Sequence, residues 1–187
     1  MLSMNTVYRN WLMIIIVSSI LLSIITPNVG LKIGSRNASI IRFNGNILYV
    51  GGSGEGNYTR IQDAINNASD GDIIIVYPGI YKEHLVIEKA IRICGSGCEN
   101  TFIIGISSGK WYSIKILHDN VNINNFTLVN QKNYGALIWI EGKNVTIEYN
   151  LIRGEIVVHA CWVHIYKNVI KNAGIELGFS HSLVENN

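Results

Sequence analysis

The sequence predicts an all-β fold, a right-handed single-stranded parallel β-helix (a solenoid) opened by an amphipathic capping helix. Three observations carry this. A residue-by-residue repeat runs through the C-terminal half, short apolar strands follow one another from Gly71 onward, and one amphipathic helix stands directly before them.

The repeat is the strongest of the three. Val145, Ile147, Asn150 and Ile152 match Val163, Ile165, Asn168 and Ile170 at a constant offset of 18. Leu183 and Asn186 continue the frame. Val121, Ile123, Phe126 and Leu128 precede it at an offset of 24, with Phe126 at the asparagine position. Ile91 and Ile93 fit more loosely, at a further offset of 30. A unit of this size holds two or three short strands and cannot bury an apolar face alone. Coiling stacks each unit on the last, with equivalent residues about 4.8 Å apart. Val145/Val163 and Ile147/Ile165/Leu183 are then inward stacks, and Asn150/Asn168/Asn186 a turn ladder of mutually bonded amides. The leucine-rich-repeat frame is absent, and an antiparallel sandwich does not generate such a repeat.

Taken in order, residues 1–30 read as a signal peptide or signal anchor. Arg9 is the sole charge before Lys32, and Trp11–Ile25 is a fifteen-residue apolar run broken by Thr26, Pro27 and Gly30. That run is short against the roughly 20 residues a bilayer span needs, which favours cleavage. Residues 31–57 are a lead-in with a short strand at Ile47–Val50 and a loop, Gly51–Gly56, that lacks the GK[ST] of a phosphate cradle. The β-helix is placed at 58–187. Thr59 and Gln62 have capping-box spacing, and Ile61, Ala64, Ile65 and Ala68 share one helix face. Strands follow at Ile73–Tyr77, Leu85–Ile87, Ile91–Cys94, Phe102–Ile104 and Ser113–Leu117, with Pro-Gly, Gly-Ser-Gly and Ser-Ser-Gly turns between. No stretch after residue 70 accommodates a crossover helix, which excludes doubly wound α/β folds. The final Asn186-Asn187 falls inside a repeat, so a truncated β-helix with an uncapped last rung, open to self-association, is expected.

Setting aside Arg9 leaves 14 basic against 13 acidic residues, with no basic cluster, which argues against nucleic acid as a partner. Five N-x-Ser/Thr sequons, at Asn37, Asn57, Asn67, Asn125 and Asn144, fit an exported, glycosylated surface. Outside the cytoplasm, Cys94 and Cys98 are expected to close a small disulfide across Gly95-Ser96-Gly97, leaving Cys161 as a small buried hydrophobe.

The stretch Tyr58 to Ile65, then Gly71-Asp72 through Tyr77-Pro78-Gly79 to Glu83, with Ile87 to Gly95 and Thr101 to Gly105, resembles the opening of the pectate-lyase-like β-helix superfamily. It is most similar to NosD-like and carbohydrate-binding β-helix domains of exported surface proteins, and pectin methylesterases share a similar opening. The resemblance covers roughly residues 47 to 187. It implies the fold and an exported setting, and leaves function open, because lyases, esterases, copper-maturation factors and inert surface proteins share this scaffold.

Catalytic residues of those enzymes have no counterpart in the repeat: Glu148 aligns with Tyr166 and Val184, and Glu155 with Ala173, so no carboxylates pair for acid–base work or a hard cation. Arg153 and Lys171, 18 apart, stack outward as candidates for gripping acidic sugars, with a solvated corner the favoured reading. His159, Cys161, His164 and His181 are the only cluster with soft-metal chemistry, but their spacing matches no metal motif and the alternation turns His164 outward. Trp111, Trp139 and Trp162, with Tyr112, Tyr149 and Tyr166, offer sugar-stacking surface in principle. Tyr149 and Tyr166 fall out of register, and ordinary packing is favoured. The expectation is an exported, non-catalytic scaffold or glycan-contacting module, with a polysaccharide as partner, no cofactor, and the membrane touched only through the N-terminal segment. An N-terminal fragment of a polysaccharide lyase or pectin-esterase-like enzyme is the alternative, and a NosD-like copper-handling protein the second.

Overall fold

The computed structural model describes residues 43–106, 109–131, 135–178 and 181–187. The N-terminal segment 1–30 and residues 31–42 of the lead-in, Asn37 among them, lie outside the described residues.

Seventeen described strands fall into three parallel sheets, and successive strands visit the sheets in rotation. Sheet A holds β1 (Ile47–Val50), β2 (Ile73–Val76), β5 (Arg92–Gly95), β8 (Asn122–Asn124), β11 (Thr146–Glu148), β14 (His164–Tyr166) and β17 (Leu183–Glu185). Sheet B holds β3 (Gly79–Glu83), β6 (Thr101–Gly105), β9 (Thr127–Asn130), β12 (Leu151–Arg153) and β15 (Val169–Ile170). Sheet C holds β4 (Leu85–Ile87), β7 (Tyr112–Ile116), β10 (Ala136–Ile140), β13 (Ile156–Val158) and β16 (Ile175–Leu177). The chain is a parallel β-helix, coiled right-handed as parallel crossover connections are. β3 begins at Gly79, directly after Pro78 in the segment that reads as a turn in the sequence, and β1, in the lead-in, pairs in parallel with β2.

The core is a set of registered columns. Ile74, Ile93, Ile123, Ile147 and Ile165 stack along sheet A, each at most 2% exposed. Leu85, Ile114, Ile138 and Ile156 stack along sheet C. Each such side chain contributes about 1.5–3 kcal/mol by leaving water.

The corner between sheets A and B is a left-handed residue followed by a buried anchor. Asn125, Tyr149, Lys167 and Asn186 have φ of 62°, 54°, 54° and 52°, and Phe126, Asn150, Asn168 and Asn187 follow them. The Asn150 side-chain oxygen accepts from the Phe126 N–H at 2.9 Å. Asn168 accepts from the Asn150 N–H at 3.0 Å, and Asn187 from the Asn168 N–H at 3.1 Å. Each amide nitrogen donates to carbonyls of its own and the preceding coil, as Asn150 does to Glu148 and Ile123 and Asn168 to Tyr166 and Ile147.

The third ladder residue is therefore Asn187, and the expected Asn186 sits at the left-handed position. Sheet C shows why. Leu151 pairs with Val169 at the repeat's own offset, but Ile156 pairs with Ile175, one position further along, so an extra residue enters between β15 and β16. The same shift sets Ile165 against Val184 and His164 against Leu183, not Ile165 against Leu183. It also sets Tyr166 against Glu185, and Glu155 beside Gly174 in place of Ala173.

The expected helix is present as α1 (Ile61–Asn67), with Ile61, Ala64 and Ile65 buried, but the capping box is not. Arg60 is the N-cap and supplies no side-chain bond. The buried Glu83 at the end of β3 instead accepts from the N–H groups of Ile61 and Gln62 at 2.8 and 3.0 Å. Gln62 is drawn to the edge of β4, donating to the Val86 carbonyl at 3.2 Å and accepting its N–H at 2.8 Å. Its amide thus stands in for a strand. At the other helix end the Lys89 ammonium donates to the carbonyls of Ile65, Asn66 and Ala68 at 2.5 to 3.1 Å. An acid at the N-terminus and a cation at the C-terminus both complement the helix dipole.

Two stability measurements test these anchors. Glu83→Ala leaves two buried N–H groups unpaired and is expected to cost about 2–3 kcal/mol, lowering Tm by roughly 5–10 °C. Asn150→Ala and Asn168→Ala should each lower Tm at least as far, whereas Asn186→Gly should leave it unchanged or raise it, glycine being unstrained at positive φ. A fall for Asn186→Gly equal to that for Asn168→Ala would return the ladder to Asn186.

Candidate glycan-contacting groove

The outward face of sheet C is the only part of the described surface where aromatic side chains run across several coils. Val86, Lys115, Trp139, Val157 and Glu176 form one outward column by strand register. Beside it the rings make a near-continuous series: His84 to Tyr112 at 5.5 Å, Tyr112 to Trp139 at 6.4 Å, and Trp139 to His159 at 4.4 Å, the last pair stacked at 21°. Trp111 stands at the rim, 76% exposed. Trp111, Tyr112, Lys115, Trp139, Val157, His159 and Glu176, together with Gly135, Ala136, Glu141 and Glu155, line an open groove of about 710 Å³, with His84 and Val86 outside it.

Local structure makes the groove. Gly135 takes φ +77°, and a Cβ there would lie 2.5 Å from the Trp111 carbonyl oxygen, so only glycine lets β10 start so close to the Trp111 backbone. The Ala136 N–H then donates to that carbonyl at 2.8 Å, fixing Trp111 beside the groove. Lys115 reaches Glu141 at 3.0 Å and lies 5.2 Å from the Tyr112 ring centroid, while the Trp139 indole N–H donates to Glu141 at 2.9 Å. The Lys115 bond, followed by that of Trp139 as the other hydrogen-bond donor, holds the Glu141 carboxyl below the usual range. Trp139 is thereby fixed in orientation, with its face available between Tyr112 and His159. Burial, then Lys110, pushes the His84 ring to a lower pKa, so it is a neutral ring at pH 7.

Sheet A carries a second polar feature, satisfied within itself. The buried Glu148 accepts from Asn122 at 2.8 Å and from the Tyr166 hydroxyl. With its amide oxygen turned to Arg92, Asn124 accepts from the guanidinium at 3.2 and 3.3 Å. This zipper joins four coils and leaves no carboxylate free for chemistry.

The other residues singled out in the sequence fall elsewhere. Arg153 and Lys171 are exposed at one corner, with the Lys171 N–H donating to the Ile152 carbonyl, and neither lines the groove. His164 opposes Leu183 across sheet A, and His181 stacks on Trp162 at 5.2 Å. Among the described residues no group of three or more His, Cys, Asp or Glu is placed to hold a metal. Cys94 and Cys98 are unbridged in this structure. Cys94 lies on β5 with Arg92 and Asn124 about it, and burial, the largest influence, pushes its pKa up; Cys98 belongs to the turn closed onto Gly97. Tyr149 and Tyr166, out of register in the sequence, nevertheless meet edge to face at 6.3 Å, and Lys167 lies over both rings. Of the sequons described, Asn67 and Asn125 are exposed. The amides of Asn57 and Asn144 are only partly exposed and bonded to Gly51 and Asn120.

Lys115, Glu141 and Glu176 were not legible as groove residues. The offset between coils changes from one pair of strands to the next, so Lys115 and Glu176 fall into one column, with Glu141 beside it, only once each loop length is known.

No family model matches the chain. It is 37% identical over 78 residues to a cell surface glycoprotein of Methanothermus fervidus, covering 41% of this chain and 13% of that protein. It is 36% identical over 67 residues to a probable pectinesterase/pectinesterase inhibitor of Arabidopsis thaliana, covering 31% and 12%. The matched stretches thus span about an eighth of each relative. Among solved structures it is similar to a pectin methylesterase crystallised with a hexasaccharide (TM-score 0.49, 15% identity, 68% of this chain and 54% of that one). It is also similar to the Aspergillus niger pectin methylesterase (TM-score 0.42, 20% identity, 73% and 68%). The three-sheet coil itself defines the class of fold, a parallel β-helix.

Tyr166 offers a spectroscopic check on the sheet A zipper. Its hydrogen bond to Glu148, with burial second, pushes its pKa up to about 12. A raised folded-state value stabilises the fold fully below pH 10 and is lost as pH climbs toward 12. The difference between wild-type and Tyr166→Phe absorbance titrations at alkaline pH should show this late phenol, and Glu148→Gln should bring it down toward 10. A phenol ionising near 10 in the wild type would remove the bond.

Proposed function

We propose that this chain is a glycan-contacting module of an exported, cell-surface β-helix protein, and that the sheet C groove makes the contact. The aromatic series Tyr112, Trp139 and His159, with Trp111 at the rim, carries the reading. Sugar rings present flat C–H faces that pack on aromatic rings while their hydroxyls seek polar partners at the edge. The groove supplies both on a rigid sheet, which keeps the entropy lost on binding low. The surface setting is supported by the leader-like N-terminus, the sequons and the likeness to a surface glycoprotein. Asn67 and Asn125 are the described sequons best exposed for modification.

Binding without turnover is the proposed activity. The 36% identity to the plant pectinesterase over 67 residues supports testing hydrolysis alongside it. Titrating the purified chain with polysaccharides while following tryptophan fluorescence should show saturable change, and Trp139→Ala should weaken it at least tenfold. Release of methanol from methyl-esterified pectin, or of shorter chains from any polysaccharide, would replace the module reading with an enzymatic one.

A further inference from the structure

The charge lining the groove determines which glycans it takes, an inference that rests on the glycan-contacting reading above. Among the described residues its acidic and basic side chains are Lys115, Glu141, Glu155 and Glu176. Lys115 is already bound to Glu141 at 3.0 Å, so among the described lining residues that cation is paired with that carboxylate. Glu155 and Glu176 remain, both exposed, on adjacent coils at one side of the groove, and neither forms an ion pair among the described residues. A chain lying over Trp139 therefore passes two uncompensated negative charges. The cations Arg153 and Lys171 face solvent at the preceding corner and do not line the groove.

We infer that the groove selects glycans without carboxylates, neutral sugars whose hydroxyl or acetamido groups donate to Glu155 and Glu176, and discriminates against polyuronates. The physical reason is that a carboxylate acts only as an acceptor and repels both glutamates, whereas a hydroxyl donates to them. Repulsion at an open site is screened by salt, so the discrimination is greatest at low ionic strength.

Three hexasaccharides of equal length serve as probes: N-acetylglucosamine, glucosamine and galacturonate oligomers, titrated at about 20 mM and about 500 mM salt. The expected result is a neutral-to-uronate affinity ratio of about tenfold or more at low salt, shrinking at high salt, with the cationic oligomer tightest at low salt. Glu155→Gln/Glu176→Gln, which keeps shape and hydrogen-bonding groups, should collapse the ratio toward one. Circular dichroism of the double variant checks that it folds. Uronate binding equal to or tighter than neutral binding would overturn the inference while leaving a glycan site in place. If Arg153→Ala/Lys171→Ala then abolished it, acidic sugars would belong to that corner. Binding of none of the three probes would overturn the glycan-contacting reading and this inference with it.

Discussion

At the corner between sheets A and B, the backbone N–H of each anchor residue donates to the side-chain oxygen of an asparagine one coil further on. Phe126, Asn150, Asn168 and Asn187 form that column. The bond is buried, so an error in register strands a donor and two or three carbonyls away from water. Apolar columns alone tolerate a slip of two residues, because the pleat returns the same face to the core. The asparagine column does not, since a slip takes each amide oxygen away from the anchor N–H it accepts. Register along the coil is thus set by polar satisfaction at one corner, and the isoleucine columns supply most of the stabilising energy.

That division explains what could be read from the chain. The coil, the amphipathic helix and the corner asparagines Asn150 and Asn168 were legible because they recur at constant offsets or on one helix face, whereas β1, read as lead-in, pairs with β2 as part of the coil. Asn187 was misread as Asn186, because an extra residue enters between β15 and β16 where nothing in the frame marks it. The helix cap was misread for a different reason. Thr59 and Gln62 carry the local signal, but Glu83, on a strand well beyond the helix, offers a buried carboxylate, and Gln62 is needed at the edge of β4. Tertiary partners outcompete a local motif when they satisfy two orphan groups at once.

The groove was the least legible part. Its aromatic residues were visible individually, but the separations between Tyr112, Trp139 and His159 match none of the repeat offsets. They meet because diagonal neighbours on adjacent strands bring large rings into contact although their backbones are out of line. Packing does not dictate outward positions of a β-helix, so the sequence pattern that defines the scaffold is silent about its surface. Trp139 is the exception in being held by a specific bond to Glu141, which makes its orientation part of the scaffold.

The Gln62 amide bonded along β4 has an effect at the scale of whole molecules. A sheet margin whose donors and acceptors are already taken by a side chain is no template for a neighbouring molecule. The first coil is thereby blunted on sheet C, while Glu83 ties the end of β3 to the overlying helix. Tyr58, bonded to Tyr49 and Gly51, covers β1 in the same way. Stacking of two such coils start to start is disfavoured by construction, which gives the particle a direction, as a bolt has a head.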